Sequence, residues 1–228
     1  MKTYVGISRD HSASMRGILN PALKDYNQTI ESVKEAAVAH NVDTIVSVVQ
    51  CGIGPGRGKV AVETINSSGV TLKPLDVYRA DGQSTPLFDS VIKLIDILSK
   101  APDADDFNVS FLVRVITDGG DNDSNISGTL LARKIQELQA TDRWTFSFRV
   151  PKGHAKFLVN LGIPAGNILE WDQTQAGMER ATQANKAAVT SYYSARSTGV
   201  LSTKSFFTDL SGVTTAEVKS ALTDISKE

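Results

Sequence analysis

The chain has 228 residues, 41% hydrophobic and 21% charged, a globular composition long enough to bury one good core. A formal net charge of -1 and a pI near 6.3 exclude the broad basic field that nucleic acid or an anionic membrane would attract. Cys51 is the only cysteine, so no intramolecular disulfide can form and the fold does not lean on an oxidising compartment.

The first apolar run, Met1 to Ile7, meets Arg9 and Asp10 too soon for a signal-peptide core, and no window approaches a membrane span. The cytoplasm is the expected address. Tyr4 to Ile7 reads as a buried first strand. Pro21 to His40 reads as a helix, with proline in its first turn and Leu23, Tyr26, Ile30, Val33 and Ala37 at helical spacing. Thr44 to Val49 is a continuous β-branched run, as strands buried on both faces are. A glycine-rich turn follows from Gly52 to Gly58, and Val60 to Asn66 alternates as an edge or hairpin strand would. Residues 70–84 look extended and irregular. Pro86 to Lys100 is an amphipathic helix, and Val109 to Ile116 is the most apolar strand. Ile126 to Gln139 reads as helix, Trp144 to Val150 as strand and Lys152 to Leu161 as a short helix. Asn167 to Trp171 reads as a short strand and Ala176 to Arg196 as a long helix. Composition shifts near Thr198. The expected division is therefore a domain over 1–197 and an extension over 198–228, with a short helix from Thr215 to Ile225.

Strands alternating with helices predict an α/β, three-layer α/β/α (Rossmann-like) fold with a mostly parallel sheet and one antiparallel edge strand. Ligands of such sheets sit beyond the carboxyl ends of the strands. Asp10, Ser12 and Ser14 follow the first strand, Asp118 follows the apolar strand, and Thr85 precedes the helix at Pro86. Two carboxylates and three hydroxyls form an all-oxygen set, which suits Mg²⁺, with Mn²⁺ or Ca²⁺ as alternatives. Zinc would prefer histidine and thiolate. Taken singly, each position is as well explained as a cap or turn residue.

Asp10-His11-Ser12-Ala13-Ser14-Met15, Ser84-Thr85-Pro86-Leu87-Phe88-Asp89 and Ile116-Thr117-Asp118-Gly119 together resemble the metal-ion-dependent adhesion site (MIDAS) of von Willebrand factor A domains. The resemblance covers roughly residues 1–197, in element order as well as in motif. It implies that Ser12, Ser14 and Thr85 touch the metal directly and that Asp10 and Asp118 act largely through water. It also implies a protein partner that presents an Asp or Glu to the metal, and because no acid, base or nucleophile set is visible beyond these ligands, no enzymatic activity is expected. Ala13 and Ser84 stand where the family has glycine. Arg9 and His11 flank Asp10, and a cation aimed at the metal would weaken it. Ser202 to Phe207 resembles phage-encoded proteins of the family.

The loop Gly52 to Lys59 fails as a phosphate loop: Ile53 sits where the first glycine belongs, and Val60 replaces the hydroxyl. It should lie on the metal face, where Arg57 and Lys59 could meet an acidic partner. Asp121, Asp123 and Asn125 lack the spacing of a calcium loop and read as a solvated loop. Cys51 reads as a buried thiol, and Trp144 and Trp171 as core. Two other readings remain open. One is a structural assembly or virion subunit with a vestigial metal site. The other is a metal-dependent phosphohydrolase, although Ser12 occupies the place of the second aspartate that this chemistry needs.

Overall fold

Strand β1 (Lys2–Asp10) lies in the interior of a six-stranded sheet, between β2 (Asp43–Ile53) and β4 (Val109–Ile116). The computed structural model describes residues 1–172 and 174–208, so the expected helix at 215–225 lies outside the described residues. The strand order is β3-β2-β1-β4-β5-β6, with β3 at Lys59–Ser68, β5 at Trp144–Pro151 and β6 at Ile168–Trp171. Every neighbouring pair is parallel except β2 with β3, which is antiparallel and sits at one edge. The expected fold class, including its antiparallel edge strand, is what the chain adopts.

Helices α1 (Leu19–Ala39) and α5 (Gln175–Ser197) cover one face of the sheet. Helices α2 (Leu87–Ser99), α3 (Gly128–Gln139) and α4 (Ala155–Asn160) cover the other. Period-two alternation sorts β1 between them. Val5 and Ile7 enter the α1–α5 core, while Tyr4 enters the α2–α3 core. Arg9 shares the side of Val5 and Ile7, and Asp10 falls on the opposite side. The two faces differ in polarity. Toward α2 and α3, β4 and β5 present Phe111, Val113, Val115, Trp144, Phe146 and Phe148. Toward α1 and α5 they present Arg114 and Arg149, both buried. Arg149 pairs with Asp25 of α1, which also accepts from Thr182 of α5. Arg114 donates to Asn185 and lies over the Phe206 ring, 5.3 Å from its centroid.

The chain past α5 returns to this face. The Phe206 amide donates to Asn167 Oδ1 at 2.8 Å, and Asn167 Nδ2 donates to the Thr203 carbonyl at 2.9 Å. Phe206 and Phe207 are both buried, so the start of the extension completes the α1–α5 core.

Edge strand β3 is irregular. Its register against β2 shifts at three places, and Asn66 takes a φ of 48°. The Glu63 side chain turns back to pair with Arg9 of β1. Among the described residues, no helix is long and apolar enough to cross a membrane.

Candidate metal centre

Asp10 ends β1 in register with Cys51 of β2, so the strand runs through the residue expected just beyond its end. Its side chain is fully buried. Oδ1 accepts the Ser12 amide at 2.8 Å and Oδ2 accepts the Thr117 hydroxyl at 2.7 Å. Both donors are neutral, and burial pushes the Asp10 carboxyl above its ordinary range, with those bonds pulling the other way.

From Ser12 a short run of oxygens crosses to β4. Ser12 Oγ lies 3.0 Å from Ser14 Oγ, which donates to Asp118 Oδ1 at 2.9 Å. Burial raises the Asp118 carboxyl and the nearby Asp10 charge adds to this, against the bond from Ser14. Four of the five expected ligands, Asp10, Ser12, Ser14 and Asp118, are thus joined in one hydrogen-bonded group.

Thr85 arrives on the third loop and is buried. Its amide donates to Asn122 Oδ1 at 2.6 Å, and the Asn122 amide returns a bond to the Thr85 carbonyl at 3.1 Å. This clasp fixes the Thr85 loop to the loop after Asp118. Two glycines let that loop close on the other two. A Cβ on Gly82 would fall 1.4 Å from the Gly52 carbonyl, and one on Gly52 would fall 2.5 Å from the Ser84 carbonyl. Gly52 has a φ of 73°, a conformation that favours glycine in its own right.

The residues flanking Asp10 do not oppose a cation. Arg9 lies between Tyr26 and Tyr78, 4.9 and 5.6 Å from their ring centroids, with its guanidinium on Glu63. His11 stacks on Tyr78 with centroids 5.5 Å apart. Burial, reinforced by Arg9, brings the His11 imidazole down to about 4, so it is neutral at pH 7. Tyr78, from the irregular segment, donates to the Asp10 carbonyl at 2.6 Å.

The loop after Asp118 is solvent-exposed in part, as expected, and is also bonded into its neighbours. Asp121 accepts the Phe88 amide at the start of α2 at 3.2 Å. Asp89 Oδ1 accepts the Ile126 amide and its Oδ2 accepts the Asn125 amide and side chain. Asp123 Oδ2 accepts the Gly58 amide at 2.7 Å and the Ser84 hydroxyl at 2.6 Å. Its Oδ1 accepts Arg57 Nε at 2.7 Å. Ser84 and then Arg57 hold the Asp123 carboxyl below its usual range. These carboxylates are polar because backbone amides at a helix start and in loops need acceptors, and only secondarily because they are near solvent. Arg57 lies at the rim, already paired with Asp123, while Lys59 is exposed and makes no ion pair among the described residues.

Among the described residues no three His, Cys, Asp or Glu side chains lie together as a metal cluster. The donor set here is instead two carboxylates and three hydroxyls, and that chemistry fits a hard cation. Cys51 is a buried thiol raised by that burial, which leaves it no nucleophile.

The sheet order and its antiparallel edge strand are those of a von Willebrand factor A-like fold. Proximal thread matrix protein 1 from the mussel byssus is similar to it. One crystal form has a TM-score of 0.58 at 14% identity, covering 82% of this chain and 48% of that one. A structure of the same protein described with a zinc-occupied MIDAS motif has a TM-score of 0.53 at 14% identity, covering 82% of this chain and 46% of that one. At such identity the likeness is one of fold, and this chain spans about half the length of the mussel protein. No family model matches the sequence, and neither does any curated protein.

Proposed function

We propose that this chain is a metal-dependent protein-binding module. Asp10, Ser12, Ser14, Thr85 and Asp118 would hold one divalent cation, Mg²⁺ first and Mn²⁺ or Ca²⁺ as alternatives. A bound cation supplies an electron-poor coordination position that an Asp or Glu of a partner protein can fill. The observation that carries this reading is Asp10: a fully buried carboxylate whose hydrogen-bond donors are neutral, beside the Ser12–Ser14–Asp118 oxygen run. With Ser12, Ser14 and Thr85 touching the ion and the two aspartates acting largely through water, the directly bound ligands would carry no charge and leave a divalent ion electron-poor. The mussel protein's zinc-occupied motif supports a divalent cation in this fold, and the all-oxygen set here favours magnesium over zinc.

We read binding and no turnover. His11 is buried against Tyr78 and Cys51 is a raised, buried thiol, so neither offers itself as base or nucleophile. At the rim, Lys59 is the readier contact for an acidic partner. Arg57 would exchange Asp123 for the partner's acid, trading one exposed pair for another worth ~0–1 kcal/mol.

The test is isothermal titration of the metal-free chain with Mg²⁺, Mn²⁺, Ca²⁺ and Zn²⁺, followed by partner capture in Mg²⁺ or chelator. Thr85→Ala is the informative variant because it removes a neutral oxygen and no charge. One metal equivalent, and capture lost in chelator and in Thr85→Ala, is expected. Capture that is indifferent to both would replace this reading with the structural subunit.

A further inference from the structure

Phe157 of α4 is 40% exposed, yet its ring stacks on Phe88 with centroids 5.7 Å apart. Phe88 lies three residues beyond Thr85, and its amide donates to Asp121 of the loop that follows Asp118. The open ring is therefore built onto the scaffold of the metal-bearing loops. The chain enters α4 from the carboxyl end of β5, the end of the sheet that carries Asp10 and Asp118. Lys152 and Lys156 precede Phe157 on the segment that enters and opens α4, both exposed, and neither makes an ion pair among the described residues. The acid beside them, Glu170, is engaged by the amides of Gly153 and Ala155. In a chain of net charge -1, this leaves a local basic and aromatic surface next to the candidate centre.

We propose that this face of α4 is a second contact for the metal site's partner. It would receive a segment in which the metal-bound acid is followed by a large apolar side chain and a further acid. The proposal rests on the reading of the metal site. Charge complementarity selects the occupant: two exposed lysines without ion pairs, on the segment that also carries the open aromatic ring, favour an apolar side chain with a carboxylate near it, and disfavour a basic one. A half-open aromatic ring that is already fixed from behind is also a preorganised anchor, since little side-chain freedom remains to be lost.

The test selects a display library of random short peptides on the whole chain in Mg²⁺. Recovered peptides are then measured by fluorescence polarisation against wild type, Phe157→Ser and Lys152→Glu/Lys156→Glu, with Mg²⁺ and with chelator. Peptides that combine an acid with an apolar–acidic pair are expected. Phe157→Ser should weaken them by about tenfold while leaving a residual magnesium-dependent affinity. Charge reversal at the lysines should weaken them similarly, more at low salt. Peptides with a single acid that bind all three proteins alike would overturn the α4 contact and leave the metal site standing. Binding unchanged by chelator would instead remove the metal reading, and the shared ligand with it. A wild-type dimer in sedimentation that Phe157→Ser dissolves would assign the face to a second copy of the chain and overturn the proposal. Failure to recover any peptide on wild type would overturn it as well.

Discussion

Replacing Asp10 with asparagine removes one charge and can keep every hydrogen bond around it. The amide oxygen can take the place of Oδ1 and accept the Ser12 amide, which now sits 2.8 Å away. The amide nitrogen can then donate to Thr117 Oγ1, which itself has the Gly119 carbonyl at 3.0 Å as an alternative acceptor. The Asp10 carboxyl is raised in the folded protein, so its contribution favours folding below the unfolded value and is lost as pH rises through the folded one. Ionised and metal-free, the side chain is a net cost to the fold, and Asp10→Asn should melt at or above wild type in chelator. Asp10→Ala leaves the buried Ser12 amide without its acceptor and should lose ~1–3 kcal/mol. With Mg²⁺ at about 100 times its Kd, wild type should gain ~2.7 kcal/mol. In a chain of this size that is about 5–11 °C in melting temperature. Asp10→Asn should gain little. Differential scanning fluorimetry in chelator and across a magnesium titration reads all three proteins. If Asp10→Asn falls as far as Asp10→Ala in chelator, or keeps the full magnesium shift, the carboxylate is structural and the argument fails.

Gly82→Ala should lose ~3–5 kcal/mol and the magnesium response together, because its Cβ would fall 1.4 Å from the Gly52 carbonyl and must move the Thr85 loop; urea melts measure it. Arg114→Met should stabilise the fold by ~1–3 kcal/mol, since burial lowers the Arg114 guanidinium to about 9 and Asp25 already serves Arg149. A loss of stability in that variant would show that the Asn185 bond and the Phe206 contact outweigh the buried charge. His11 titrates at about 4 folded against 6.5 unfolded, so its contribution is complete above 6.5 and is lost as pH falls toward 4. Wild type should lose up to ~3 kcal/mol more than His11→Phe across that window in metal-free buffer, and parallel pH profiles would refute it.

The strand over Val109–Ile116 was legible to the residue, because burial on both faces writes one apolar run. The end of β2 was not. The glycines from Gly52 read as a turn, yet β2 continues to Ile53, because Gly52 takes a positive φ within the strand while pairing with β3 persists to Lys59. The candidate ligand positions could be proposed because Asp, Ser and Thr clustered at predicted strand ends and just before the helix at Pro86. Their supports could not. Asn122, Asp121 and Asp123 have the composition of any polar loop, and only the three-dimensional approach of α2 and the Gly58 loop turns them into acceptors. The Asp25–Arg149 pair joins residues 124 apart, beyond the reach of any local pattern. Phe206 and Phe207 did carry a signal, since two adjacent aromatics in a Ser/Thr-rich stretch seek a core.

An open sheet edge invites another chain to add a strand, and the edge at β3 discourages it. A visiting strand needs an even row of backbone donors and acceptors, and the three register shifts and the turn at Asn66 break that row. Glu63, bonded inward to Arg9, further ties the strand to its own sheet. Copies of this chain brought together at their β3 edges would therefore not zip into one sheet there. Association at that edge would have to rest on side-chain surfaces and not on backbone pairing.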